Sequence, residues 1–327
     1  MNKSTKLWLI TAAFLVIMGG VIFVGIMSSL NWDFTKFTTA KFETNTYEVG
    51  EKFSSISIDT YTADILFAVS DDNNCKVVCY EQKNIKHSVH VQDGTLTVKT
   101  VDERKWYEYI GINFRSPKIT VYLPEAEYAL VSIKDRTGDI KIPKEFKFDS
   151  ADISLTTGDV KFYSSVSKTI KIKASTGDIL IEQISSGSLE LFATTGDITV
   201  SDVTCRDNIN IKVTTGDVDV IDTICKNLTS KGSTGNISLN NVIAKENFSV
   251  ERGTGDVKFD SCDAAEIFVD TDTGDVKGSL LADKVFITET NTGSVDVPKT
   301  VIGGRCEIST DTGDIKIVIS NYITNAM

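Results

Sequence analysis

The sequence predicts an all-β fold: a β-solenoid or flattened two-sheet β-roll of nineteen- to twenty-residue repeats, behind one N-terminal transmembrane helix. Three observations predict it. Thr-Gly-Asp-Ile/Val recurs with glycines at 138, 158, 177, 196, 216, 235, 255, 274, 293 and 313, and self-similarity at a fixed short period is the mark of stacked repeats. Within a repeat, apolar residues alternate with polar ones, the period of a half-buried strand. Leu7 to Leu30 carries no charged side chain.

The chain divides into five stretches. Residues 1–6 form a cytoplasmic tail, 7–30 a transmembrane anchor, 31–50 a linker, 51–130 an N-terminal β-rich module and 131–320 the repeat solenoid. At about 1.5 Å per residue the apolar run exceeds a hydrocarbon core of about 30 Å. Lys3 and Lys6 precede the run and Asp33 follows, which puts the N-terminus in the cytoplasm and the bulk of the chain outside. A cleaved signal peptide is the rival, but its apolar region is normally shorter and ends in an A-x-A-like site. Met27-Ser28-Ser29-Leu30 fits that poorly.

In the 51–130 module, Ile56, Ile58, Thr60 and Thr62 precede Ala63-Asp64-Ile65 and Phe67, the repeat frame with alanine in the glycine place. Either Ala63 bears the strain of a positive φ or that turn differs in shape. Val89, Val91, Asp93-Gly94, Leu96 and Val98 read as a hairpin, because Asp-Gly favours a tight primed turn. Trp106, Tyr107, Tyr109 and Phe114 crowd a loop-like segment. They form either a partner patch or a cap over the open end of the stack.

One repeat shows the frame: Ile209, Ile211, Val213 and Thr215, then Gly216-Asp217, then Val218 and Val220. Parity shifts across Thr-Gly-Asp, so the chain turns there, and glycine suits the turn. Ile184, Val203, Val242, Cys262 and Leu281 recur further on and mark a second corner. Each repeat is thus two short strands and two turns, with the next repeat stacked on it. Coils about 4.8 Å apart make a slab about 50 Å long.

The strand ending Val121-Tyr122-Leu123-Pro124, the anchor before it and the Thr-Gly-Asp runs after it resemble the bacterial "putative adhesin" family of β-strand-repeat proteins, a domain of unknown function. The resemblance covers roughly residues 50–320. It implies a cell-envelope β-repeat protein, some of whose relatives look like parts of envelope-stress systems, and it brings no catalytic residues.

Candidate chemistry centres on the turn ladder: Thr137-Gly138-Asp139, Thr157-Gly158-Asp159, Thr176-Gly177-Asp178, Thr195-Gly196-Asp197, Thr215-Gly216-Asp217, Thr254-Gly255-Asp256, Thr273-Gly274-Asp275 and Thr312-Gly313-Asp314. A stack of carboxylates suits calcium. It equally suits turn chemistry, where Asp accepts bonds from backbone amides. Asn236 and Ser294 occupy the Asp place in the two remaining copies and keep the acceptor without the charge, which favours the turn role. Two exposed charges about 5 Å apart repel by only about 1 kcal/mol, so no counter-ion is demanded. The threonine column is structural, with hydroxyls able to bond between coils.

Cys205 and Cys225 each lie nine residues after a repeat glycine. Stacking brings them within reach of a disulfide, or leaves them as two small apolar thiols at a corner. Cys75, Cys79, His87 and His90 give C-x3-C-x7-H-x2-H, poor zinc spacing for residues on strands. No metal and no cofactor is implied. No nucleophile elbow, P-loop or dinucleotide fingerprint is present, and both histidines lie outside the repeats. A carboxylate pair in a groove would be needed for a sugar-cleaving enzyme, and such short coils leave little wall for a cleft.

The net charge of −11 argues against nucleic acid and against a basic membrane-binding patch. The expected function is binding or structural, at the cell membrane with the bulk of the chain outside. Partners are wall polymer, a surface protein, another copy or another envelope membrane protein. The alternative is a sensory or regulatory component of an envelope-stress system acting through a membrane partner, since about six residues before the anchor are too few for a signalling domain.

Overall fold

A computed structural model describes residues 2–33, 41–104 and 116–320. Helix α1 (Lys3–Ser29) has 27 residues, its most apolar 18-residue stretch has a mean hydropathy of 2.6, and its apolar side chains face outward. It is long and apolar enough to cross a membrane.

The remaining described residues are almost entirely strand. β1 (Phe42–Val49), β2 (Ser55–Asp59), β3 (Asp64–Val69), β4 (Cys75–Gln82), β5 (Ile85–Gln92), β6 (Thr95–Asp102) and β7 (Lys118–Leu123) build the N-terminal end. β8 (Glu127–Thr137) and β9 (Ile140–Ile142) make the first Thr-Gly-Asp coil, and β10 to β17 fill residues 147–254. β18 (Val257–Thr273), β19 (Val276–Leu280), β20 (Lys284–Thr292), β21 (Val295–Asp296), β22 (Gly304–Thr312) and β23 (Ile315–Ile319) finish the stack. The architecture is a β-solenoid of about ten turns.

Period-two alternation does what it should in a parallel stack: like residues form columns. Ile153, Ile172, Leu191 and Ile211 are register partners in successive coils, and all are buried. Val160 and Ile179 begin the matching column on the second sheet. Because each coil's apolar side meets only its own opposite wall and its neighbours, the core is one continuous strip and stability comes from coil-to-coil contact. Phe146, Phe148 and Phe162 fill it near the N-terminal end and Phe248 and Phe259 further on.

The second corner is sharper than a change of direction between two strands. Gln183, Asp202, Asp222, Asn241 and Ser261 all have φ between 46° and 57°. This left-handed residue swings the chain so that Ile184, Val203, Val242 and Cys262 turn inward after it. Leu281 departs from the expected column: Leu280 is the residue opposite Cys262 and is buried, whereas Leu281 is half-exposed at the corner.

Three further sequence expectations need correction. Residues 42–49 are not linker, because β1 pairs antiparallel with β4 along its whole length, Phe42 opposite Gln82 to Val49 opposite Cys75. Its half-buried pattern hides the apolar signal. No structural border falls at residue 130, because β2 and β3 stack in register on β8 and β9 as a coil of the same solenoid. Ala63 closes that coil with a negative φ and a buried methyl, so the first turn differs in shape and carries no strain.

The third correction is the stacking order. The last two coils are transposed: β22 lies between β18 and β20, and β23 between β19 and β21. At the other end the chain also leaves the stack and returns. β6 and β7 cover the far side of β2 and β3, the side opposite β8 and β9. The Asp93-Gly94 hairpin, with both residues at positive φ, folds β5 onto β6. The aromatic cluster Trp106, Tyr107, Tyr109 and Phe114 lies outside the described residues.

Candidate functional site

The Thr-Gly-Asp edge is held by two interactions between coils. A Cβ added at Gly158, Gly177, Gly196, Gly216 or Gly235 would sit 2.0–2.2 Å from the carbonyl oxygen of the preceding coil's glycine. These glycines have φ between 124° and 146°. Glycine is therefore required for close backbone approach as well as for the turn. Beside it, each acidic side chain reaches to the next coil. Asp139 Oδ1 accepts the amide N–H of Asp159 at 2.9 Å, Asp159 that of Asp178 at 2.9 Å, and Asp178 that of Asp197 at 2.8 Å. Asp197 Oδ1 accepts from Asp217 at 2.8 Å, and Asp217 from Asn236 at 2.6 Å.

Of the uncharged members, Asn236 accepts as the aspartates do, while Ser294 ends the ladder as a donor. Asn236 Oδ1 accepts from Asp256, and Ser294 both donates its hydroxyl to Asp314 and presents its amide to the same oxygen. The ladder follows spatial order through the transposition, running Asp256, Asp275, Asp314, Ser294. One oxygen of each linked carboxylate is thus committed to the protein. The carboxyls of Asp275 and Asp314 lie below the usual range, the first through the Lys277 ammonium and the second through the Ser294 amide. The threonine residues stack as register partners, Thr157 with Thr176 and Thr176 with Thr195. The bonds between coils at this column are backbone ones, with Gly158 N–H donating to Thr176 O and Gly177 N–H to Thr195 O.

Cys205 and Cys225 are buried free thiols, like the other four cysteines. Cys205 Sγ lies 3.2 Å from the Gly187 carbonyl. Burial pushes the Cys225 thiol up to about 12.

The zinc-like motif is split by the fold. His90 is exposed, while Cys79, Glu81 and His87 are buried with ligand atoms within 4.8 Å of one another. Glu81, which sequence reasoning missed, is the hub. It accepts the His87 backbone N–H and Nδ1 at 2.7 Å each, and Asn45 Nδ2 at 2.6 Å. His87 Nε2 faces Thr60 Oγ1 at 3.3 Å, and the Thr100 hydroxyl donates to Thr60. Burial would raise the Glu81 carboxyl, but the bonds from His87 and Asn45 outweigh it and hold it low. The hydrogen-bond chain from Thr100 to Asn45 is complete, so a cation would enter only by breaking it. The signal in the sequence was Glu81 itself, an acid at an inward position of β4.

Three other charges are buried, and of these Lys284 is paired, its Nζ donating to Asp263 Oδ1 at 2.6 Å. Arg252 lies over Gly232, where a Cβ would meet its Nη1 at 1.6 Å. Nη1 donates to Val213 O at 3.3 Å, and Nε and Nη2 have no partner. Asp135 accepts from the Arg136 amide at 2.8 Å, its other oxygen has no partner, and burial pushes its carboxyl up to about 6.

The long sheet, which contains β2, β8 and their register partners in later coils, presents an exposed outer face. Outward residues one place beyond the inner column run through register as Lys134, Ser154, Lys173, Phe192, Lys212, Lys231, Glu251, Asp270, Ser309 and Glu289. A shallow open trough on this face is lined by Lys171, Lys173, Phe192, Lys212 and Lys231.

Two segments of the chain, 53–224 and 206–327, match the family model described as Toastrack DUF4097. The chain belongs to this Toastrack DUF4097 family. It is similar to the crystal structure of a "putative adhesin" from Bacteroides fragilis NCTC 9343, at 18% identity and a TM-score of 0.40 over 85% of this chain and 97% of that one. It is similar to a "putative lipid binding protein" from Parabacteroides distasonis ATCC 8503, at 15% identity and 0.47 over 86% and 98%. It is also similar to a "putative adhesin" from Parabacteroides merdae ATCC 43184, at 12% identity and 0.47 over 86% and 98%. No curated protein matches. The Toastrack assignment spans both the N-terminal end and the regular coils, in keeping with their shared sheets.

Proposed function

We propose that this Toastrack chain is a membrane-held, extracytoplasmic module of the cell envelope that binds or spaces rather than catalyses. The observation that carries the reading is the pairing of one helix able to span a membrane with a continuous two-sheet stack whose outer faces are exposed strand surface. A long flat ladder suits an extended partner, such as a wall polymer or a surface protein, because contact repeats every coil. The helix is an uncleaved anchor with its N-terminus in the cytoplasm, as Lys3 and Lys6 before the apolar run favour. Beside the buried Cys79, Glu81 and His87 are spent on hydrogen bonds, which supports a structural role.

The test is capture of envelope fractions by the full chain in detergent, against wall polymer and solubilised membrane, with calcium and with chelator. Retention of wall polymer is the expected result. Capture of one membrane protein instead would move the reading to a regulatory component. Loss of either interaction with chelator would show that the Asp ladder holds calcium despite its backbone bonds.

A further inference from the structure

We propose that the outer face of the long sheet pairs with the same face of a second copy of this chain, in reversed coil order. This deepens the binding reading above by naming a partner, but it stands on the charge pattern alone. Along the outward column the sign changes once. Lys134, Lys173, Lys212 and Lys231 occupy the N-terminal side, and Glu251, Asp270 and Glu289 the C-terminal side. The change falls between two neighbouring coils, where Lys231 and Glu251 form an ion pair at 2.5 Å.

A two-fold axis parallel to the strands, between those coils, keeps strand direction and reverses coil order. It sets each column against itself. Lys231 then faces Glu251 of the second copy, Lys212 faces Asp270, Phe192 faces Ser309 and Lys173 faces Glu289. Isologous interfaces require this kind of self-complementarity. In the next outward column the axis brings Glu190 opposite Glu307, but each is already paired in its own sheet, with Lys171 at 3.7 Å and Arg305 at 2.5 Å. On the other side, Thr214 and Thr194 face Asp272 and Asp311, hydroxyl donors against acceptors.

The size is adequate. Eight coils about 4.8 Å apart and five residues of about 3.3 Å give roughly 600 Å² per copy before the rim is counted, near the roughly 800 Å² per partner of a standard interface. Phe192, half-buried in the trough, is an apolar anchor in the third coil from the axis of each copy. Reversed coil order also sends the residue-41 ends of the two copies to opposite ends of the pair.

The test is sedimentation of the full chain in detergent, for wild type, Lys212→Glu, Asp270→Lys and an equimolar mixture of the two variants. The wild type should dimerise and loosen as salt rises. Each variant alone sets like charges together twice across the axis and should weaken the dimer by about tenfold or more. In the mixture, the acid introduced by Lys212→Glu faces the ammonium introduced by Asp270→Lys, and the unaltered Asp270 of the first variant faces the unaltered Lys212 of the second. Opposite charges meet at both places, so a heterodimer should form with near wild-type affinity. A monomeric wild type, a dimer indifferent to both substitutions (as one held by the helices would be), or a mixture that stays dissociated overturns the proposal. Failure of polymer capture leaves it standing, and its failure leaves polymer capture standing.

Discussion

The two turns of each coil solve the same problem under different constraints. At the Thr-Gly-Asp edge, backbone meets backbone, and a methyl on Gly216 would lie 2.1 Å from the Gly196 carbonyl. At the opposite corner the chain is also at positive φ, but there Gln183, Asp202, Asp222, Asn241 and Ser261 serve in turn. The left-handed region near 50° is open to polar L-residues at modest expense. The glycine region near 130–150° combined with a carbonyl 2 Å away is not. A repeat signature is therefore conspicuous where sterics are absolute and nearly invisible where they are merely unfavourable.

The comparison can be broken most directly by adding one methyl at each edge. Gly216→Ala should lower stability by about 3 kcal/mol or more, because the coils must separate to admit it. Urea titration of the chain measures this, and a loss under about 1 kcal/mol would show that coil spacing is softer than argued. The matching change at the other corner, Asp222→Gly, should shift stability by less than about 1 kcal/mol, and in the favourable direction if relief of φ outweighs unfolded-state entropy.

Next in size is Asp135, which places an acid in the inward column beside the Thr-Gly-Asp edge, where later coils have Leu155 and Ala174. Its folded pKa of about 6 lies above the ordinary value of 3.8. The folded state therefore holds the proton more tightly. Stability is undiminished below about pH 4, falls as pH rises to about 6 and stays lower above that. The difference is about 3 kcal/mol at most. Asp135→Asn should flatten this slope and raise stability at pH 7, read from urea midpoints between pH 4 and 7. An unchanged slope would place the titration elsewhere.

The smallest effect separates charge from acceptor at the ladder. Asp197→Ala removes the acceptor for the Asp217 amide and should lower stability by about 1 kcal/mol. Asp197→Asn should be within about 0.5 kcal/mol of wild type, since Asn236 already fills that place in its own coil. If Asn proves as damaging as Ala, the carboxylate charge matters and calcium returns as its explanation.

Much of this was legible in the sequence. Glycine spacing and alternation determine the coils, the inward columns and the hairpin at Asp93-Gly94. What stayed hidden has physical causes. β1 is half-buried on one side of an end strand, so Phe42, Tyr47 and Val49 do not read as a core segment. Transposition of the final coils leaves no trace because the repeats are nearly interchangeable: Gly313 packs on the Gly274 carbonyl as well as Gly293 would have. Register partners such as Lys231 and Glu251, or Gly232 and Arg252, are twenty residues apart, so surface charge pattern and buried guanidinium emerge only when the coils are aligned. The Cys79–Glu81–His87 group was half seen. The histidine and cysteine stand out by rarity, while Glu81, which holds the histidine, is one acid among many.

The transposed coil has a mechanical consequence. In an ordinary stack, a pull at the last coil peels one ladder at a time, like tape lifted from its free edge. Here the segment reaching Ile319 is wedged between β19 and β21, with its longer strand between β18 and β20. Tugging from that side must shear two ladders on each strand at once. A processive unfoldase or carboxypeptidase working inward from there should stall at β23, and the stack should resist unravelling from that side better than its repeat energetics alone would allow.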